Sequence, residues 1–251
     1  RLPGQELARQ GLAIAAAGGH HLLLVGPPGC GKTVLANQLP SLLPPLNKEE
    51  ALEITRLHSI AGRIHGKGQL IRQRPFRSPH HSTTSAALLG GGAHPRPGEL
   101  SLAHGGVLFL DELTEFPRSV IDQLRQPLEE GVIELSRARL SCRFPCRVTL
   151  VAAANPCPCG WAGDHRCLCS ELKRRRYWGR LSGPLIDRLD LQLKLQPSQP
   201  GSMRQETVQA PREPETTFSA SSIHQARVRM RQRNPKSLSN RELSARSLER
   251  Y

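Results

Sequence analysis

The chain has 251 residues, 37% of them hydrophobic, with a formal net charge of +14. That length holds one large or two small domains. No apolar run approaches the ~20 residues of a membrane span, so no membrane role is expected. A pI near 10.4 points to a polyanionic partner, nucleic acid first. The alternative at this stage is a basic surface that is simply solvated. Seven cysteines are an odd count, which suggests a reducing, cytoplasmic setting with free thiols or a metal rather than disulfides. No secretory signal is visible, and a start at Arg1 suggests that a true N-terminus is missing.

Taken in order, Glu6 to Ala17 is rich in Ala and Leu and reads as a helix stopped by Gly18-Gly19. His21 to Val25 reads as a buried strand. Gly26-Pro27-Pro28-Gly29-Cys30-Gly31-Lys32-Thr33 fits the phosphate-loop pattern G-x-x-x-x-G-K-[ST], and a helix opens at Val34. Glycines there let backbone N–H groups turn toward a polyphosphate, and the helix N-terminus adds positive dipole. Lys32 is expected to reach the β- and γ-phosphates of ATP, and Thr33 to ligate Mg2+. Pro44-Pro45 ends that helix, and Asn47 with Glu50 forms a variant capping box for the next, Lys48 to about Ser59.

Residues 62–98 are the least regular stretch, with many Gly and Pro and with Arg72, Arg74, Arg77, His80 and His81. A gap this long implies an insertion. Ser82 is a candidate cap for a short helix through Leu89. Val107-Leu108-Phe109-Leu110 is a buried strand that delivers Asp111 and Glu112 at its end. Asp111 is the candidate Mg2+ carboxylate, and Glu112 the group that polarises the attacking water. Ser119 to Glu130 reads as a helix, with Pro127 in position to kink or shorten it.

Residues 132–147 carry strand character in two halves, a hairpin with Arg137 and Arg139 near its tip. Val148 to Ala154 is a further strand ending at Asn155, which is placed to bond a γ-phosphate or the attacking water. Cys157, Cys159, Cys167 and Cys169 then form a C-x-C…C-x-C loop within residues 156–170. Either zinc bound by four thiolates or a loop of free thiols fits that spacing. Lys173 to Arg176 is a basic helical run beside Tyr177 and Trp178, suited to nucleic acid or to a solvated or subunit-facing surface. A short helix carrying Arg188 runs into a strand near Leu191. Residues 197–222 read as a linker, and residues 223–251 as the start of a helical domain that the chain end cuts off.

The ordered set GPPGCGKT, VLFLDE, a strand ending in Asn155 and SGPLIDRLDL resembles an AAA+ ATPase core. Three stretches narrow the resemblance: Arg74 to Ser82, Gly98 to His104, and Asn155 to Gly160. They resemble the competence-associated, magnesium-chelatase-like ATPases of the ComM type. The resemblance spans nearly all of residues 1–196. It implies a Walker A role for Gly26 through Val34, including Lys32 and Thr33, a Walker B role for Asp111 and Glu112, and a sensor-1 role for Asn155. It implies a trans-acting arginine finger at Arg188, a helix-2 insertion over 62–98, and a pore hairpin over 132–147 whose Arg137 and Arg139 touch DNA. Family members also carry a Lon-protease-like domain before this core and a complete lid with a sensor-2 arginine. The sequence departs from both, so an incomplete lid is expected here.

The expectation is therefore an α/β three-layer sandwich around a parallel sheet, followed by the start of a helical lid. The expected activity is Mg2+-dependent ATP hydrolysis by a hexameric ring that drives branch migration on single-stranded or branched DNA. The competing readings are a chelatase-type ATPase that remodels a partner protein, and a non-catalytic, ATP-switched DNA-binding scaffold.

Overall fold

The structure is a computed structural model, which describes residues 5–64, 68–92, 94–137, 140–197 and 220–233. The core is a five-stranded sheet built from β1 (Leu22–Val25), β2 (Phe76–Arg77), β5 (Val107–Leu110), β8 (Thr149–Ala154) and β9 (Leu191–Lys194). Its order is β2-β5-β8-β1-β9, and every neighbouring pair is parallel.

Side chains alternate between the two faces of a strand, and here both faces are covered. Leu23, Leu108, Leu110, Leu150 and Ala152 pack on one side with Leu100, Phe116, Ile121, Leu124 and Leu185. Leu22, Leu24, Val107, Phe109, Val151 and Ala153 pack on the other with Leu12, Leu35, Leu39 and Ile223. The first face is closed by α5 (Glu99–Leu102), α6 (Arg118–Asp122), α7 (Arg125–Glu130) and α9 (Gly183–Ile186). The second is closed by α1 (Glu6–Gly18), α2 (Lys32–Leu42) and the helix Ala220–Arg233, called α10 here. This is the expected three-layer α/β sandwich. Among the described residues no helix is long and apolar enough to cross a membrane.

α3 (Lys48–Ile60) opens with the expected capping box: Glu50 N donates to Asn47 Oδ1 at 2.8 Å, and Asn47 N donates to Glu50 Oε2 at 3.0 Å. Four readings need correction. Residues 62–98 are not all insertion, because β2 lies inside them and pairs with β5. The two residues of β2, set between Pro75 and Pro79, are too few to show a strand period. The short helix α4 (Ser85–Leu89) is capped by Thr84, whose hydroxyl accepts from Ala87 N, while Ser82 bonds to His80. The expected helix 119–130 is broken into α6 and α7, because Pro127 has no N–H to offer the Gln123 carbonyl one turn back. The last helix begins at Ala220, three residues inside the expected linker, whose residues 198–219 lie outside the described ones.

The expected hairpin is present as β6 (Val132–Arg137) and β7 (Leu140–Pro145), paired from Val132↔Pro145 to Arg137↔Leu140. Arg139 lies outside the described residues, and Arg137 is described only by its backbone. A second two-stranded hairpin joins β3 (Gly90–Gly91) to β4 (Arg96–Pro97). Arg74 and Arg77 turn out to be structural. Arg74 donates to the carbonyls of Pro44 and Gly105, and Arg77 makes a two-pronged ion pair with Glu99 at 2.6 and 2.8 Å.

Candidate functional site

Parallel strands send their following loops out at one end of the sheet. Val25 of β1 pairs with Ala154 of β8, and Leu110 of β5 pairs with Ala152, so the phosphate loop, Asp111 and Asn155 emerge side by side. They bound a cleft of about 460 Å3 lined by Pro28 to Val34, Asp111, Glu112, Ala154 and Asn155. Gly26 and Pro27 do not line it, but their carbonyls accept from Lys32 Nζ at 2.7 and 3.0 Å. The third partner of that ammonium is Asn155 Oδ1, at 3.1 Å. Cys30 is buried under the loop, and burial pushes its thiol pKa up.

Backbone conformation explains the loop sequence. Gly29 (φ 74°) and Gly31 (φ 91°) adopt the left-handed region, and a Cβ at Gly29 would meet nothing, so glycine there serves the turn rather than packing. Gly26 is different: a Cβ would sit 2.7 Å from Cys30 Sγ. The turn ends at Gly31, which caps α2, so the helix N-terminus points at the cleft.

Thr33 Oγ1 donates to Asp111 Oδ2 at 3.0 Å, which puts a hydroxyl and a carboxylate together at the mouth of the loop. Asp111 Oδ1 accepts from the Glu112 backbone N–H at 2.9 Å. Glu112 has φ 50° and ψ 47°, and among the described residues it is the one non-glycine with positive φ. Such backbone strain gathers at functional sites. Its carboxylate lies 3.3 Å from His81 Nδ1, and the His81 ring packs on His80 and edge-on to Phe116. The sequence reading noted His81 but gave it no role, since nothing in the spacing ties residue 81 to residue 112.

Arg188 does not line this cleft. It pairs with Glu129 on α7 and is 43% exposed. Glu129 in turn lines a separate cavity of about 470 Å3 beside the base of the β6–β7 hairpin. On α8 (Glu171–Trp178), Tyr177 is buried and meets Trp178 edge-on, and Trp178 Nε1 donates to Pro156 O at 3.1 Å. These rings are held within the fold rather than offered to a base. The four expected cysteines come together, with all four sulfurs within 4.8 Å of one another. The Trp161 backbone bond draws the Cys159 thiol pKa down, whereas burial pushes the separate Cys146 up to about 12.

This sheet order, with a phosphate loop after β1, a carboxylate pair after β5 and an asparagine after β8, defines a P-loop fold of the AAA+ class. The chain belongs to the magnesium chelatase, subunit ChlI family, whose profile matches residues 1–203. It is 52% identical to YifB of Escherichia coli over 206 residues, 82% of this chain and 40% of that protein. It is 50% identical to competence protein ComM of Haemophilus influenzae over 205 residues, 80% of this chain and 39% of that one. The 38 kDa magnesium-chelatase subunit of Cereibacter sphaeroides is 27% identical over 169 residues, 61% of this chain and 51% of that subunit. The chain thus spans about 40% of the length of the relatives it matches at half identity. It is an AAA+ ATPase-family chain with a competence protein among its relatives.

Proposed function

We propose that the chain is the ATP-hydrolysing core of a cytoplasmic ring motor that moves on DNA and drives branch migration in the recombination of incoming DNA. The observation that carries this reading is the convergence of Lys32, Thr33, Asp111, Glu112 and Asn155 on one cleft. Inward-turned amides of the phosphate loop and the start of α2 hold the triphosphate. Lys32 supplies positive charge to the β- and γ-phosphates. Thr33 and Asp111 offer hard oxygen donors 3.0 Å apart, a pair that suits Mg2+. Thr33 and Asp111 would hold the ion, which would supply positive charge to offset that of the triphosphate. Glu112 orients the attacking water and draws on its proton, and His81 sets the carboxylate's direction. Asn155, held by Lys32, orients the γ-phosphate or that water.

Arg188 acts on the nucleotide of the neighbouring subunit in a hexamer, which its exposed position away from its own cleft supports. Residues 132–147 form the pore hairpin, with Arg137 and Arg139 as its DNA contacts, and α10 begins the helical lid. The net charge of +14 supports a DNA partner, as does a relative named for competence. Binding of labelled single-stranded and branched DNA across a salt series tests the partner. An affinity that falls steeply with salt, at ~0.7 log units per log unit of salt for each single-strand phosphate contact, is expected. Weak binding at every salt concentration contradicts it.

A second reading, an ATPase that remodels a partner protein, draws support from the family and from the magnesium-chelatase subunit at 27% identity. Turnover stimulated by a protein and indifferent to DNA would favour it.

A further inference from the structure

The loop between β8 and α8 has almost no regular structure of its own. Its internal backbone–backbone bonds are three single-turn contacts, Gly160 N to Cys157 O, Asp164 N to Trp161 O and Cys167 N to Asp164 O, and Arg166 makes a two-pronged pair with Asp164 at 2.9 and 2.8 Å. Arg166 adds a cap over the Trp161 ring. Yet its four cysteine sulfurs are gathered at one point. Cys157 Sγ lies 3.3 Å from Cys159 and 3.8 Å from Cys167, and Cys159 lies 3.7 Å from Cys167. A disulfide needs about 2.05 Å. A tetrahedron with Zn–S bonds of about 2.3 Å has edges of about 3.8 Å, close to two of these separations. Cys157 and Cys169 are buried, and Cys159 and Cys167 are partly so. His165, also in the loop, is 91% exposed and bonded to Asp164, so it stands apart from the cluster.

The loop touches the nucleotide cleft in two ways. It starts immediately after Asn155, whose amide oxygen holds Lys32. Gly160 (φ 83°) packs so closely on the phosphate loop that a Cβ there would lie 2.5 Å from Pro28 Cδ.

We propose that Cys157, Cys159, Cys167 and Cys169 form a four-thiolate zinc site that clamps this loop against Pro28 and so fixes Asn155 and the phosphate loop. Four soft ligands in a closed tetrahedral set select zinc and leave no open position, which makes the site structural rather than catalytic. The part that concerns the cleft rests on the nucleotide-binding reading above.

Elemental analysis of the purified chain, with titration of native thiols, tests the site. Near-stoichiometric zinc is expected, with the three thiols outside the cluster, Cys30, Cys142 and Cys146, set apart from four protected ones. Cobalt in place of zinc should give tetrahedral d–d and thiolate charge-transfer bands in wild-type protein. Cys167→Ser with Cys169→Ser should abolish those bands, and Cys142→Ser should keep them. Zinc far below stoichiometry, iron in its place, no cobalt bands, or all seven thiols reacting together would overturn the site.

Chelation should weaken binding of a fluorescent ATP analogue by roughly tenfold, about 1.4 kcal/mol, with recovery on adding zinc. Unchanged affinity in the stripped protein would overturn the clamp. Zinc-replete protein that binds no nucleotide would strike at the nucleotide reading instead, and the cobalt spectrum reads the metal site independently of it.

Discussion

The cleft after β1 and the cysteine loop after β8 meet at Pro28 and Gly160 but are ordered by different means. Asp111 and Asn155 stand at the ends of buried parallel strands, where sheet register fixes their spacing, and Lys32 opens α2 across the phosphate loop that leaves β1 beside them. The loop 156–170 has neither strand nor helix, and its dense features are the sulfur cluster and the Arg166 contacts with Asp164 and Trp161. A sheet places residues by backbone hydrogen bonds. An irregular loop of this length is held by side chains instead, here by the Arg166 contacts with Asp164 and Trp161 and, under the proposal above, by a metal on the four cysteines.

Breaking the cleft should cost most. Glu112→Gln keeps the shape of the side chain but not its charge, and turnover should fall by ~10^2 to 10^4 while nucleotide still binds. Steady-state hydrolysis set beside fluorescent-nucleotide titration separates the two effects. Lys32→Ala removes the ammonium held between Gly26, Pro27 and Asn155, and a loss of ~10^2 or more in nucleotide affinity is expected.

The border between the regions should respond less. Gly160→Ala places a methyl against Pro28 at φ 83°, and ~1–3 kcal/mol of strain should appear as weaker nucleotide binding with zinc content unchanged. Loss of zinc with normal nucleotide affinity would reverse the proposed direction of coupling.

Acid should act on the fold far from both regions. His104 is buried, accepts from Arg147 N and donates to Glu53. Burial lowers its pKa against the opposing pulls of Glu53 and Glu50, and Arg147 adds to the lowering. His58 shifts the same way, chiefly by burial. The unfolded chain therefore binds more protons, so stability is present above the ordinary histidine value of about 6.5 and is lost as pH falls below it. Urea midpoints between pH 8 and 5 should show that decline, and a flat profile would count against it. Asn47→Ala removes the capping-box acceptor of α3 and should cost about 1 kcal/mol with nucleotide binding intact.

The legible parts were those with a local code. The phosphate loop, the apolar strand before Asp111 and the box at Asn47 each declare themselves within eight residues. β2 did not, since Phe76–Arg77 is too short for a period and becomes a strand only by pairing with β5. The break at Pro127 was foreseen as a kink, but its place at Gln123 and Leu124 depends on which carbonyl loses its donor. The His81–Glu112 contact and the Gly160–Pro28 contact were invisible because both join segments far apart in sequence. The basic residues divide in the same way. Composition announced a charge of +14, but only the fold shows that Arg74 and Arg77 are tied into ion pairs and carbonyl contacts rather than presented to a partner.

The central claim is tested most directly by steady-state ATP hydrolysis with and without single-stranded and branched DNA across a salt series. Strong stimulation by DNA that fades as salt rises, and that is absent in Glu112→Gln, is expected. Turnover that ignores every DNA at low salt would contradict it.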